Sequence, residues 1–299
     1  MTSKLTRWTH TVPATSGKIR IDDYCGPVFS ILGSKSATKK AIKSNRLFLN
    51  GRPAKTADFV RKGDTIAVIG AGVRNIKRIN IPLEIVFEDH HLIIINKPGG
   101  IAVNGNRHKT VENALVGVAK PSLVNDALPR PVAVHRIDVP TNGLVMLAKT
   151  KSALIKMTNA FQDRKVDKMY HAIVHGRPER EFRINESIEN KEATTIGSTI
   201  STVPSLKYEH LSLVHLKPFT GRTHQLRIHM QSIGHLIVGD KLYAQGQHTI
   251  LGKGLLLCAA SLHFSHPNHG SDVAVTIETP RKFNRILDRE ASRFESQKD

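Results

Sequence analysis

The sequence predicts an α+β protein with a mixed sheet, preceded by a smaller α/β unit. Strand-like runs outnumber helical ones and do not alternate strictly with them. The 299 residues, 39% hydrophobic and 23% charged, suffice to bury a proper core. A polar, basic stretch separates two differently patterned parts. The boundaries it gives are 1–70, a linker at 71–80, and 81–299.

In the first part, Ser36 is the expected cap of a helix over 36–45. Ala37, Ala41 and Ile42 mark one face, and Lys39, Lys40, Lys43 and Arg46 surround the rest. Asn50-Gly51 between short apolar runs signals a tight turn, and RKGDTIAVIG a turn and strand. In the second part, Leu92–Ile95 is a continuous apolar run stopped by Lys97-Pro98-Gly99-Gly100, as a buried central strand would be. A short helix over 111–120 follows Thr110, and 120–130 is expected to be a proline-punctuated loop.

Leu144–Ala148 is a second buried strand. Ser152 is the expected cap of a helix bearing Leu154, Met157 and Phe161 near helical spacing. KMYHAIVHG, 168–176, alternates as a strand does, whereas 179–205 is polar and shows no clear element. Leu211–Leu216 is a strand. Thr223 is the expected cap of a helix with Leu226, Met230 and Ile233 on one face, ended by Gly234. Residues 255–264 and 272–278 close the part as two strands.

The net charge of +19 attracts polyanions, RNA or DNA first. Residues 1–80 hold 16 Lys/Arg against 4 Asp/Glu, and the rest of the chain 28 against 21, so the first quarter reads as an electrostatic docking module. No run reaches the ~18 apolar residues of a membrane span, and the charged N-terminus lacks a secretory apolar region. No membrane association and a cytoplasmic location are therefore expected. Cys25 and Cys258 lie far apart and read as structural thiols. The 16 histidines show no metal spacing: His263 and His266 have no carboxylate or cysteine close by in sequence. No metal, redox group or nucleotide cofactor is expected.

Three positions beside turns are candidates for chemistry. Asp138 follows Arg136 and precedes the turn Pro140-Thr141-Asn142-Gly143; the pair fits an ion pair closing a loop as well as a nucleophile or base. Arg222 follows Thr220-Gly221 at a helix start, where it suits capping or a phosphate. Tyr170, on a strand after Lys168, suits a core tyrosine with its hydroxyl at the rim.

The surrounding motifs resemble the RluA-type family of RNA pseudouridine synthases. HRIDVPTNGLVMLAK looks like that family's signature, GRTHQLRIHMQSIGHLIVGDKLY its second, and EDHHLIIINKPGGIAVN its first motif. The basic N-terminal unit, with a short extension before it, is similar to an S4-type RNA-binding domain. The resemblance spans about 17–290. It implies a largely antiparallel sheet of the pseudouridine synthase type. It further implies that Asp138 is the catalytic carboxylate, that Arg222 pairs with it, and that Tyr170 stacks near the target base and handles protons. Arg136 would reach into the RNA where the target nucleotide leaves its stack, and Lys39, Lys40, Lys43 and Arg46 would bind RNA. Asn142 stands where the family has serine, Ile137 where leucine is usual, and Cys258 where histidine is common.

The implied reaction detaches uracil from C1′ of its ribose, rotates it and rejoins it through C5. Extruding the nucleotide costs a few kcal/mol, which phosphate contacts and stacking offset. A carboxylate assists at electron-poor C1′ as in glycoside hydrolysis. The expected substrate is ribosomal RNA of the large subunit, with transfer RNA second, and a monomer suffices. The alternatives are a non-catalytic RNA-binding or ribosome-assembly factor on the same scaffold, and a base-excising glycosidase. The intact Asp138, Tyr170 and Arg222 set argues against the first, and the products distinguish the second.

Overall fold

The computed structural model describes residues 7–13, 18–29, 32, 34–69, 79–105, 108–244, 252 and 254–297. The chain divides into two compact units, Met1–Ile76 and Lys77–Asp299. Of the expected linker, 71–78 lies outside the described residues.

The first unit contains β1 (Arg7–Thr11), β2 (Ile19–Arg20), α1 (Ile21–Val28), α2 (Lys35–Lys43), β3 (Leu47–Leu49), β4 (Arg52–Pro53), β5 (Phe59–Val60) and β6 (Thr65–Ile69). One sheet runs β1-β6-β3-β4, and β2 pairs with β5. The cap of α2 is Ser34, whose hydroxyl accepts from the Ala37 N–H, and not Ser36. Ala41 and Ile42 join Ile21, Cys25, Leu47 and Ile66 in a core that fixes which helix face meets solvent. Asn50 has φ 51 and Gly51 φ 82, the left-handed pair that the β3–β4 turn requires.

The second unit is built on a ten-stranded sheet. Its elements are β7 (Glu84–Glu88), β8 (Leu92–Lys97), α3 (Val111–Ala114), β9 (Ala127–Ala133), β10 (Asn142–Thr150), α4 (Lys151–Gln162), β11 (Asp167–His175), β12 (Glu181–Asn185), β13 (Thr194–Ser205), β14 (Glu209–Pro218), α5 (Gln225–Ser232), β15 (Leu257–Ser265), β16 (Asp272–Thr276) and α6 (Arg281–Glu295). The order is β12-β13-β14-β11-β15-β10-β8-β7, with β16 on β15 and β9 on β10. Every described pairing in it is antiparallel except β10 with β15.

The central strands are buried on both faces. Leu92, Ile94, Leu144 and Met146 pack with Ala153 and Met157 of α4, whereas Ile93, Ile95, Val145 and Leu147 pack with Val111, Leu115 and Ile137. That two-sided cover is why these strands read as continuous apolar runs. Where β10 meets β15, Gly143 lies against Ala259 with φ +108, and a Cβ there would overlap the Ala259 backbone. Glycine is what lets the parallel pair close.

Several local expectations shift. Thr150, not Ser152, caps α4 by accepting from the Ala153 N–H. The prolines of the expected 120–130 loop do not exclude a strand: β9 begins at Ala127 and pairs with β10 at the rim. The unpatterned 179–205 segment forms β12 and β13, and the amphipathic α6 covers the sheet through Phe283, Ile286 and Leu287. Among the described residues, no helix is long and apolar enough to cross a membrane.

Candidate active site

Asp138 sits in the loop between β9 and β10, and the fold fixes its backbone from two sides. Its carbonyl accepts from Thr141 N–H at 3.1 Å, and the next carbonyl, Val139, accepts from Gly100 N–H at 2.7 Å. Lys97, fully buried at the end of β8, donates to Val139, Pro98 and Ile101 carbonyls at 3.1, 3.0 and 3.0 Å. The Lys97-Pro98-Gly99-Gly100 turn is therefore a clamp on the Asp138 loop. Burial pushes the Lys97 ammonium down to about 8, with the Asp138 charge opposing.

Asp138 opens onto a cavity of about 510 Å³ lined by residues including Arg136, Tyr170, Phe219, Arg222, His224 and Arg227. That size lies within the range of ligand pockets. The carboxylate is 20% exposed, with one oxygen 3.5 Å from an Arg227 nitrogen and the other 3.8 Å from His224 Nε2. The Arg227 guanidinium is aimed by Asp240, which accepts from its Nε and Nη2 at 2.7 and 2.8 Å. Burial works against the Arg227 charge, but the hydrogen bonds and charge of Asp240, with Asp138 adding to them, raise its pKa above the ordinary arginine value. Arg227 also lies over the Tyr243 ring, 5.0 Å from its centroid.

His224 opens α5 with φ 56, a left-handed conformation that is uncommon for a non-glycine residue. No side chain caps this helix start; the expected cap, Thr223, makes no such bond. The strained backbone turns the ring so that Nδ1 lies 2.8 Å from the Tyr243 hydroxyl while Nε2 faces Asp138. The loop before α5 is pinned by buried Gln225, whose Oε1 accepts from Thr220 Oγ1 and Arg222 N–H and whose Nε2 donates to Thr194 O and Thr195 Oγ1.

Tyr170 lines the cavity from β11. Burial raises its hydroxyl pKa, with the Asp138 charge and Cys258 adding to it, so at neutral pH the ring carries a neutral phenol. A stacking surface or a hydroxyl proton fits this site better than a phenolate base. Lys168, on the same face, donates to Thr220 O at 3.3 Å, and burial lowers its pKa. His135 accepts from the Met146 N–H at Nε2 and stacks on Phe161; burial pushes it down to about 3, so it is a neutral wall of the pocket. Burial pushes the Cys258 thiol up to about 12, which keeps it protonated and unreactive.

Residues 91–232 match the model of the RNA pseudouridylate synthase family. The chain is 36% identical over 230 residues to ribosomal large subunit pseudouridine synthase D of Zymomonas mobilis, covering 70% of this chain and 73% of that one. It is 34% identical over 250 residues to the protein of the same name from Nitrosomonas europaea, covering 79% and 72%. The solved structure of human RNA pseudouridylate synthase domain containing 4 matches with TM-score 0.55 and 25% identity, over 69% of this chain and 92% of that one. The chain belongs to the RluA-type family of RNA pseudouridine synthases. It is an isomerase that converts uridine to pseudouridine in RNA.

In this synthase Asp138, Tyr170 and Arg136 line one cavity, Arg136 being exposed at its mouth. Arg222 lines the mouth as well, but it does not pair with Asp138: its Nε donates to the Glu192 carbonyl at 3.1 Å. The cation beside Asp138 is Arg227, five residues on. The reason is helical geometry. Arg222 lies in the loop before α5, whereas Arg227 is on the buried face with Leu226 and Met230. An arginine among those apolar positions, followed by Gly239-Asp240, was the signal for it in the sequence. His224, Asp240 and Tyr243 lie in the same motif and share the site.

In the N-terminal unit, Lys39 faces buried Asp22 at 3.7 Å, so it helps neutralise a core carboxylate, and Arg46 donates to Ser44 Oγ at 3.0 Å. Lys40 and Lys43 are exposed and have no ion pair among the described residues.

Proposed function

We propose that this synthase isomerises uridines of large-subunit ribosomal RNA and that Asp138 is the catalytic carboxylate. The observation carrying this reading is the placement of Asp138. It is the carboxylate that faces the cavity beside Arg227 and Tyr170, on a loop clamped by Lys97. The relatives named as large-subunit synthases support the choice of RNA. The net charge of +19 suits a large polyanion.

On this reading the basic N-terminal unit is an S4-like docking module, with Lys40 and Lys43 facing phosphates and Lys39 and Arg46 partly engaged in the fold. The target uridine leaves its stack and enters the cavity, with Arg136 at the opening it vacates. The Arg227 guanidinium stands beside the Asp138 carboxylate at C1′ while the C1′–N1 bond breaks. Tyr170 supports the detached uracil as it rotates. C1′ then bonds to C5, the C5 proton leaves, and N1 ends protonated, so mass is unchanged. On this reading the enzyme acts as a monomer in the cytoplasm.

The test is incubation of the purified protein with unmodified transcripts of large-subunit ribosomal RNA and of transfer RNA, followed by mapping of pseudouridine. Conversion at discrete positions of the ribosomal transcript is expected. Conversion of transfer RNA alone would overturn the substrate assignment. Binding without conversion would favour an assembly factor, and release of free uracil a glycosidase.

A further inference from the structure

We propose that Phe219 is a base-stacking subsite for a nucleotide next to the target uridine. This inference rests on the cavity's taking an extruded uridine. Phe219 is 41% exposed, and its ring lines the mouth of the cavity that holds Asp138 and Tyr170. A large apolar ring left two-fifths exposed forgoes part of the ~1.5–3 kcal/mol that full burial gives, so the position is poor for stability alone.

The backbone beneath it is rigid. Phe219 N–H donates to Thr194 O at 2.9 Å, and the next residue, Thr220, is buried and bonded to Gln225. The ring is therefore presented on a fixed platform and does not lie on a swinging loop.

One side of the ring already has a cation. Lys217 Nζ lies 5.6 Å from its centroid and is itself held by Asp167 at 2.9 Å. Around the mouth stand Arg136, Arg164, Lys168 and Arg222, which supply positive charge for a sugar–phosphate backbone. An exposed aromatic ring among cations at the rim of a one-nucleotide cavity is the chemistry that binds single-stranded RNA: bases stack on rings while phosphates meet the cations. The interior is taken by the target nucleotide, so the base at the rim is a neighbour. Stacking it on Phe219 replaces the stack that extrusion breaks, which makes extrusion cheaper.

The experiment uses the full chain and a fragment of large-subunit ribosomal RNA around a uridine the wild type converts, with the base of each neighbouring nucleotide deleted in turn. Phe219→Ala is expected to lower kcat/KM about tenfold, mainly through KM, with Phe219→Tyr restoring it; tenfold is ~1.4 kcal/mol, the size of one stack. Deleting one neighbouring base is expected to cost wild type a similar factor and to cost Phe219→Ala nothing further. Activity of Phe219→Ala within twofold of wild type, or losses that multiply at every neighbour, would overturn the inference. If wild type converts no uridine, the functional reading fails separately. Affinity for the whole transcript then decides the subsite: a Kd for Phe219→Ala weakened about tenfold and restored by Phe219→Tyr upholds it, and any smaller or unrestored change overturns it.

Discussion

Replacing Arg227 by leucine separates its two partners. Arg227 is nearly buried, and Asp240, which it bonds at 2.7 and 2.8 Å, is fully so. Removing one member of a buried ion pair strands the other and costs ~3–5 kcal/mol. Asp240 keeps two weaker donors, the Leu242 and Tyr243 N–H groups at 3.0 and 3.3 Å, which places the expected loss near the lower end, ~3 kcal/mol. Adding Asp240→Asn removes the stranded charge while leaving an oxygen for those donors, so the double variant recovers more than half of the loss. Urea unfolding reads both values. Turnover does not follow stability: Asp138 lacks its cation in both variants, and activity stays at least a hundredfold down. A loss under ~1 kcal/mol, or a double variant no more stable than the single, would refute the energetic reasoning. Activity that returns with stability would refute the role given to Arg227.

Arg222→Leu serves as a contrast. It removes one hydrogen bond to a carbonyl, and unfolding in urea is expected to show under ~1.5 kcal/mol of loss. Gly143→Ala is expected to cost ~3 kcal/mol or more, because φ +108 and the Ala259 backbone both exclude a side chain; a loss under ~1 kcal/mol would mean the β10–β15 junction shifts easily. His135, His171 and His175 are held down to about 3, 4 and 4 by burial. The stability they give is complete above the unfolded value of ~6.5 and is lost as pH falls toward those folded values, at up to ~1.4 kcal/mol per pH unit for each group. Urea midpoints that do not fall between pH 7 and 5 would contradict this. Lys40→Gln with Lys43→Gln is expected to reduce the slope of log affinity against log salt by between about one and two, whereas an unchanged slope would remove the N-terminal helix from the RNA contact.

The sequence made some of this structure legible and hid the rest for physical reasons. Strands buried on both faces, such as Leu92–Ile95 and Leu144–Ala148, announce themselves by unbroken apolar runs. β13 does not, because Thr194 and Thr195 are buried by hydrogen bonds to Gln225 and His229 and not by apolar packing. α6 follows a proline and is mostly polar, with Phe283, Ile286 and Leu287 its narrow buried stripe. The caps of α2 and α4 lie two residues before the expected ones, since neighbouring Ser and Thr compete for the same role. At the site, Asp138 and Tyr170, both singled out in the sequence, line one cavity. The resemblance put Arg222 beside the carboxylate, whereas Arg227 stands there. That depends on where α5 starts, and His224 in a left-handed conformation sets the start.

The most direct test of the central claim is pseudouridine mapping of total RNA from cells lacking this gene, complemented with wild type or with Asp138→Asn. The account predicts positions in large-subunit ribosomal RNA that disappear on deletion and return with wild type alone, while Asp138→Asn still binds the RNA. Restoration by Asp138→Asn, or a large-subunit RNA whose pseudouridines are unchanged by the deletion, would contradict it.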